Sequence, residues 1–273
     1  MEWLSEYWGL GLALAACGLF SGLVAGLFGI GGGAVIVPVL YFLFSGLGYG
    51  ETAQHVAVAT SLATIILTSA RSVMAHDGRG AVDWHILRAW SPWIVAGAIA
   101  GMAVASRIPG HTLTLLFGVI AFVLAAQLFF GRPDWRLGEA MPGGALRAGL
   151  GSSIGGLSAL MGIGGGTFGV SLMTVYGSPI HRAVATGAGF GVAIGLPGAL
   201  AAIVAGWGTP GLPPFSLGYV NVPAFVLISM FTVLMAPVGA QLAHSLDGVR
   251  LKKLFAVLLV VVATRMIWSA IGG

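Results

Sequence analysis

The chain has 273 residues, of which 58% are hydrophobic and only 7% are charged, with a formal net charge of +4 at neutral pH. An average soluble domain is about 25% charged, so the composition excludes a soluble globular enzyme, and no basic tract is present that would bind nucleic acid. The 45 glycines lack the three-residue period of collagen. The composition therefore predicts an all-α integral membrane protein that uses glycine heavily.

Eight apolar stretches follow one another along the chain. They lie at 9–45, 52–76, 86–106, 112–131, 146–177, 180–206, 219–244 and 251–271. About 20 residues of helix cross a bilayer core, so six of the stretches fit one crossing each. The first and fifth are too long for one crossing, and the same pentapeptide, GIGGG, interrupts them at 29–33 and 162–166.

Three sequence matches, in the same order, relate the first half of the chain to the second. The GIGGG pentapeptides lie 133 residues apart, HVAVATS at 55–61 matches HRAVATG at 181–187, and the region from Gly101 resembles the region from Gly239. The matches predict a duplicated four-segment unit, which is common among transporters. The predicted domains are a first transmembrane repeat at 1–131, a cytoplasmic linker at 132–145 and a second transmembrane repeat at 146–273.

Positive charge indicates how the two repeats are oriented, because Arg and Lys concentrate on the cytoplasmic side. If every stretch crosses once, these residues divide almost evenly between the two faces. If each glycine-interrupted stretch is a re-entrant helical hairpin, they divide ten to one. The second arrangement gives inverted repeats, each a hairpin plus three transmembrane helices, with both termini outside. Charge alone also permits a hairpin in the second half only, and the repeat symmetry favours two.

The GIGGG breaks predict an anion site. A helix break at membrane depth leaves backbone N–H and C=O groups that protein, water or a ligand must satisfy. Glycine permits the positive φ of such a turn and lets a ligand approach the backbone. Half-helices beginning near Ala34 and Thr167 would direct N–H groups and positive dipole ends at the turns, which favours an anion. The predicted substrate-binding residues here are Gly31, Gly32, Gly33, Gly164, Gly165, Gly166 and Thr167.

Glycine can also serve only to let helices pack closely, and this interpretation is favoured for the glycines outside the pentapeptides. Examples are Gly97, Gly101, Gly187, Gly191 and Gly195. The duplication of GIGGG favours the binding interpretation there. The first copy also fits the dinucleotide pattern GxGxxG/A, but the βαβ context that this pattern requires is not predicted.

The AVATS and AVATG motifs place Thr60 and Thr186 near mid-depth of their helices, where the hydroxyls could donate to a bound anion. They could equally bond to carbonyls of their own helices. Ser61 joins the predicted binding residues, and because Gly187 replaces it in the second repeat, the site should be asymmetric.

His55, His181 and Arg71 are candidate gating or vestibule residues. Helix capping is the alternative for the histidines, and snorkelling to the interface is the alternative for Arg71. The histidines do not cluster and the chain has a single cysteine, so no metal and no cofactor are expected.

All eight carboxylates fall in predicted loops or at the edges of apolar stretches, which argues against a buried proton relay. Export needs none, since moving one negative charge out of a cell gains about 2.3 kcal/mol per 100 mV. An anion channel, or an uptake carrier for another small anion, is the alternative. An intramembrane enzyme is disfavoured because no catalytic constellation is visible in the apolar stretches.

The paired GIGGG motifs, each followed by AVATS or AVATG, resemble the TauE/SafE family of sulfite exporters from about Gly18 to Trp268. The resemblance implies a multi-pass transporter of the plasma (inner) membrane that exports sulfite or a small organosulfur anion. It places Gly31, Gly32, Gly33 and Thr60, with their second-repeat counterparts, at the motif positions. A homodimer is compatible with the sequence, which does not specify it.

Overall fold

The computed structural model describes residues 2–130, 137–245 and 247–272, so residues 131–136, where the expected linker begins, lie outside the described residues. The described part is almost entirely helical. Its helices are α1 (Glu2–Phe28), α2 (Gly33–Gly46), α3 (Gly50–Asp77), α4 (Trp84–Ala105), α5 (Gly110–Phe130), α6 (Gly144–Met161), α7 (Gly166–Val175), α8 (Ile180–Ala205), α9 (Val222–Ser245) and α10 (Gly248–Gly272). Two short strands, β1 (Ser216–Leu217) and β2 (Val220–Asn221), pair in antiparallel orientation.

Seven helices in the described residues are long and apolar enough to cross a membrane. They are α1, α3, α4, α5, α8, α9 and α10, while α2 and α7 are shorter apolar helices. These helices bear out the prediction of a multi-pass membrane protein. The first arm is longer than the sequence suggested, since α1 reaches back to Glu2 and could cross a bilayer by itself.

Both helix breaks fall at the GIGGG pentapeptides. Helix α1 ends at Phe28 and α2 begins at Gly33, while α6 ends at Met161 and α7 begins at Gly166. The first break contains glycines with φ of +66°, +72° and +84°, and the second opens on Gly162 with φ of +64°. Side chains disfavour this left-handed region, so the backbone itself requires glycine there.

The β1–β2 hairpin was not predicted, because the sequence from 219 onward reads as one apolar helix. The helix starts later, at Val222, because Asn221 caps it: the Ala224 N–H donates to the Asn221 side-chain oxygen at 3.1 Å. The chain before Asn221 is thereby left to form the small hairpin between α8 and α9.

Helices of the first half pack mainly against helices of the second half. Helix α1 packs along α9 and α6 packs along α4, while α3 packs along α8 and α5 along α10. Each pairing relates a helix of one half to a helix of the other. The two halves therefore share one hydrophobic core and do not form separate bundles.

The order of contacts gives the relative direction of the paired helices. For α1 and α9, the contacting pairs are Gly18 with Ile228, Gly22 with Thr232, and Gly26 with Ala236. For α6 and α4, they are Ser152 with Gly97 and Gly156 with Gly101. In both pairs the contacts advance together along the two chains, so the helices run in the same direction.

The same reasoning applies to α3 and α8, which run in opposite directions. Gly191 contacts Ser69, whereas Gly198, further along α8, contacts Leu62, which is earlier in α3. Helix α3 runs with α9, since Thr60 contacts Asn221 and Thr68 contacts Thr232. Helix α8 runs with α4, since the pairs are Thr186 with Asp83 and Gly189 with Leu87. Because α1 and α3 both run in the same direction as α9, they run in the same direction as each other. Because α6 and α8 both run in the same direction as α4, the same holds for them.

Glycines outside the pentapeptides let these helices approach closely, as expected. A β-carbon at Gly97 would overlap the Ser152 carbonyl oxygen, and one at Gly101 would overlap that of Gly156. At Gly195 it would lie 2.8 Å from the Leu62 carbonyl oxygen. Backbones in contact gain dispersion energy that lipid does not replace, which favours association of apolar helices.

Two substitutions in α6 test this packing. Gly155→Val should lower the melting temperature in detergent, by an amount equivalent to roughly 1–3 kcal/mol, because its β-carbon would overlap the Ile94 carbonyl oxygen on α4. Gly149→Val is the matched control, since no atom lies within 4 Å of a β-carbon there. Equal melting temperatures for the two variants would contradict the packing described for α4 and α6.

Candidate substrate site at the paired glycine loops

The two pentapeptides, hereafter the first glycine loop (29–33) and the second glycine loop (162–166), contact each other directly. The Gly164 N–H donates to the Ile30 carbonyl oxygen at 3.0 Å. A β-carbon at Gly33 would overlap the Gly162 carbonyl oxygen, and one at Gly166 would overlap that of Gly29. Only glycine allows two backbones to approach this closely, so the interruptions that the sequence placed 133 residues apart form one structural unit.

The glycine loops lie between α3 and α8, against the central turns of α3 and the first half of α8. On α3, Gly162 packs against Val58 and Gly31 packs against Ile65. On α8, the contacts are Gly29 with Val184 and Gly165 with Phe190. All residues of the two loops are buried. Because α3 and α8 run in opposite directions, with Ser69 opposite Gly191, the contacts on the two helices together spread around the centre of the pair, which puts the loops near mid-depth of the bundle.

Thr167, beside the second glycine loop, has the features of a ligand-binding group. It starts the first turn of α7, it is 1% exposed, and its hydroxyl makes no hydrogen bond. It lines a cavity of about 20 Å³ together with Phe28, Leu128, Gly166, Val170, Ile180, Val184 and Phe255. A cavity of this size holds about one water molecule. The site is therefore closed around Thr167 in this conformation.

Ser61 binds the second glycine loop itself. Its hydroxyl donates to the Gly162 carbonyl oxygen at 2.7 Å, which engages its only proton. The counterpart Gly187 packs against Gly166 instead. The two sides of the site therefore differ here, and Ser61 fixes loop geometry in this conformation.

Thr60 and Thr186 make equivalent hydrogen bonds in the two halves. The Thr60 hydroxyl oxygen accepts from the Asn221 N–H at 2.9 Å, and the Thr186 hydroxyl oxygen accepts from the Asp83 N–H at 2.9 Å. Asn221 and Asp83 are in turn the residues whose side chains cap α9 and α4. The two threonines, both in the first half of their helices, thus connect α3 and α8 to the beginnings of neighbouring helices, a role that the sequence did not suggest.

The candidate gating residues lie apart from one another. His55 is buried and its Nε2 contacts the carbonyl oxygens of Ala105 and Ile108 at 3.2 and 3.0 Å, which caps the end of α4. Its ring also stacks on that of Tyr219. Arg71 is exposed on α3, and His181 is half-buried in the first turn of α8. His55 therefore contacts the end of a neighbouring helix, and not the start of its own.

The Asp83 carboxylate, next to the second motif, is engaged by two structural contacts. Asp83 caps α4 and forms an ion pair with Arg182 at 3.0 Å. Arg182 lies in the second-repeat motif HRAVATG, where the first repeat has Val56. Among the described residues, no group of three or more His, Cys, Asp or Glu side chains could hold a metal ion.

Ser69 is the residue at this site that the sequence did not reveal. It is fully buried, its hydroxyl makes no hydrogen bond, and its Oγ lies 2.9 Å from the position of a β-carbon at Gly31. Its counterpart in the second half is Gly195. The duplicated motifs do not include Ser69, because it occurs in one repeat only.

The structural role of the motif threonines can be tested by substitution. Thr60→Val and Thr186→Val should each lower stability by roughly 1–3 kcal/mol, because each leaves an N–H without an acceptor, buried at Asn221 and partly buried at Asp83. The larger loss is expected for Thr60→Val. Thr264→Val is the control, since this exposed hydroxyl bonds only to its own helix, at the Val260 carbonyl. Thermal unfolding in detergent measures the effect, and a threonine variant as stable as the control would rule out this role.

Comparisons with known proteins match nearly the whole chain. The family model described as Sulfite exporter TauE/SafE matches residues 14–266. A "Probable membrane transporter protein" of Haemophilus influenzae is 34% identical over 257 residues, covering 91% of this chain and 95% of the relative. A "Probable membrane transporter protein" of Methanocaldococcus jannaschii is 24% identical over 257 residues, covering 93% and 94%. No solved structure matches the chain.

Proposed function

This chain belongs to the sulfite exporter TauE/SafE family of membrane transporters, and we propose that it exports a small anion, sulfite or a small organosulfur anion, across the plasma (inner) membrane. One observation carries the proposal. The two glycine loops meet near mid-depth of the bundle, beside the buried and unpaired hydroxyl of Thr167.

The binding chemistry follows from this arrangement. Helices α2 and α7 begin at the loops, so the N–H groups of their first turns and their positive dipole ends point toward the loops. Such helix starts bind anions without a buried cation. Thr167 adds a hydroxyl donor in one half only, since its counterpart in the first half is Ala34.

The helix directions support inverted repeats with two re-entrant hairpins. Helices α1 and α3 run in the same direction, so α2 must bring the chain back toward the side from which α1 started. The same holds for α6, α7 and α8 in the second half. Since α3 and α8 run in opposite directions, the two halves have opposite orientations. With Arg and Lys on the cytoplasmic side, both termini lie outside.

Inverted repeats support alternating access, in which one half rocks against the other around a central site. The closed surroundings of Thr167 fit such a mechanism better than a permanently open channel. Export as a uniport needs no coupling carboxylate, because the membrane potential supplies about 2.3 kcal/mol per 100 mV for each negative charge that moves outward.

The topology can be tested with single cysteines in a Cys17→Ala background. Leu137→Cys and Trp207→Cys, both at exposed positions, should react with an impermeant maleimide from opposite sides of the membrane. If every stretch crossed once, both would react from the same side. An N-terminal epitope tag should share the side of Leu47→Cys if the first hairpin is re-entrant, and lie opposite to it otherwise.

The substrate site can be tested by flux of sulfite, sulfate, thiosulfate and sulfonates in proteoliposomes. Gly32→Leu and Gly165→Leu should abolish anion flux in inserted protein, since Gly32 has φ of +84° and a β-carbon at Gly165 would overlap Phe190. Wild-type flux in both variants would refute the site assignment.

A milder substitution separates binding from folding. Thr167→Val should raise KM roughly tenfold, the effect of losing one hydrogen bond to a charged ligand, at unchanged melting temperature because the hydroxyl has no protein partner. Ser171→Ala is the matched control, since its buried hydroxyl is also unpaired but faces a different cavity, beside Leu124. Equal KM values for the two variants would exclude Thr167 as a ligand.

A further inference from the structure

Helix α3 carries buried polar side chains that have no hydrogen-bond partner in the described protein. Both polar atoms of the Gln54 amide and the hydroxyls of Ser69 and Ser72 are unpaired, although all three residues are 0% exposed. Buried polar groups in proteins are nearly always hydrogen-bonded, and leaving them unpaired lowers stability. Three such residues on one helix therefore point to a surface that binds a polar ligand.

These residues lie on the face of α3 that contacts the glycine loops. The face comprises Gln54, Val58, Ser61, Ile65, Ser69 and Ser72, which recur at the three- and four-residue spacing of one helix surface. Its central residues contact the loops: Ser61 donates to Gly162, and Ser69 lies against Gly31. Gln54 and Ser72 therefore continue the same face on the two sides of the loops.

The hydroxyls on a neighbouring face of α3 are all satisfied. Thr64 donates to the Thr60 carbonyl oxygen at 2.9 Å, and Thr68 lies 2.9 Å from the Thr232 hydroxyl on α9. The loop-facing surface differs: Ser61 is paired with the second glycine loop itself, whereas the hydroxyls of Ser69 and Ser72 have no partner in the described protein.

Helix α8 covers the loop-facing surface in this conformation. The counterparts of Ser69 and Ser72 in α8 are Gly195 and Gly198. A β-carbon at Gly191 of α8 would overlap the Ser69 hydroxyl oxygen. The absence of side chains lets α8 close directly over Ser69, and movement of α8 would expose it.

We propose that this face of α3 is one wall of the anion path, with Ser69 and Ser72 donating to the anion on the cytoplasmic side of the glycine loops and the Gln54 amide donating on the outer side. The inference rests on the proposed function and extends it to residues outside the loops. Neutral hydroxyl and amide donors suit a small oxyanion with several acceptor oxygens. They also bind more weakly than a cation would, and a transported ion must be able to leave each position.

Sulfite efflux from proteoliposomes tests the proposal with two variants, Ser69→Ala/Ser72→Ala and Gln54→Leu. Each should raise KM at least about tenfold, the effect of losing one hydrogen bond to a charged ligand, and the double serine variant, which loses two donors, should be the more impaired. Melting temperatures should stay the same or rise, because no protein hydrogen bond is lost. Ser229→Ala is the control, since this serine is also buried and unpaired but lies on α9 next to Ile228, which packs against α1.

The outcomes separate this inference from the proposed function. Unchanged KM in both variants, with Thr167→Val impaired, would overturn the inference alone. A lowered melting temperature with unchanged KM would assign these residues a structural role and also overturn it. Absence of sulfite flux in the wild-type protein would refute sulfite as the substrate, and the path argument would fail with it.

A second measurement tests the sides of the path. In a Cys17→Ala background, Ser72→Cys should react with an impermeant maleimide added to inside-out vesicles and stay unreactive in right-side-out vesicles. Reaction from the outer side only, or from neither side, would contradict the placement of Ser72 on the cytoplasmic half of the path.

Discussion

Two interrupted helices at mid-depth in an apolar bundle must satisfy the backbone groups that their breaks release, and the rest of the structure depends on how this is done. The loops meet each other, with the Gly164 N–H donating to the Ile30 carbonyl oxygen. Side chains larger than hydrogen would separate them, because β-carbons at Gly33 and Gly166 would overlap the opposite backbone. Helices α3 and α8 enclose the two loops, and packing between helices of the two halves holds α3 and α8 in place.

Duplication supplies the framework, while residues present in one repeat supply the distinctive chemistry. Thr60 and Thr186 make equivalent bonds in the two halves, each holding the start of a neighbouring helix. In contrast, Ser61, Ser69 and Thr167 have Gly187, Gly195 and Ala34 as their counterparts. The paired residues maintain the geometry, and the unpaired hydroxyls of Ser69 and Thr167 are free to serve a ligand.

The polar groups that the structure places at the glycine loops are backbone amides and hydroxyls, which are neutral. Asp83, whose backbone N–H donates to Thr186, caps a helix with its carboxylate and pairs with Arg182. A transporter must bind its substrate and then release it, so neutral donors with helix dipoles suit the task better than a deeply buried cation. Low charge in the sequence and neutral polar groups at the glycine loops are two consequences of one membrane environment.

The sequence by itself determined the membrane class, the positions of the helices and the two GIGGG breaks, because apolar length and glycine clusters act locally. It also indicated the close-packing glycines, such as Gly97. It did not reveal the capping partners of Thr60 and Thr186, the β1–β2 hairpin, or Ser69. These depend on contacts between residues far apart in the chain, and only the tertiary structure decided them: α3 reaches Asn221 and the loops only when both halves pack around one core.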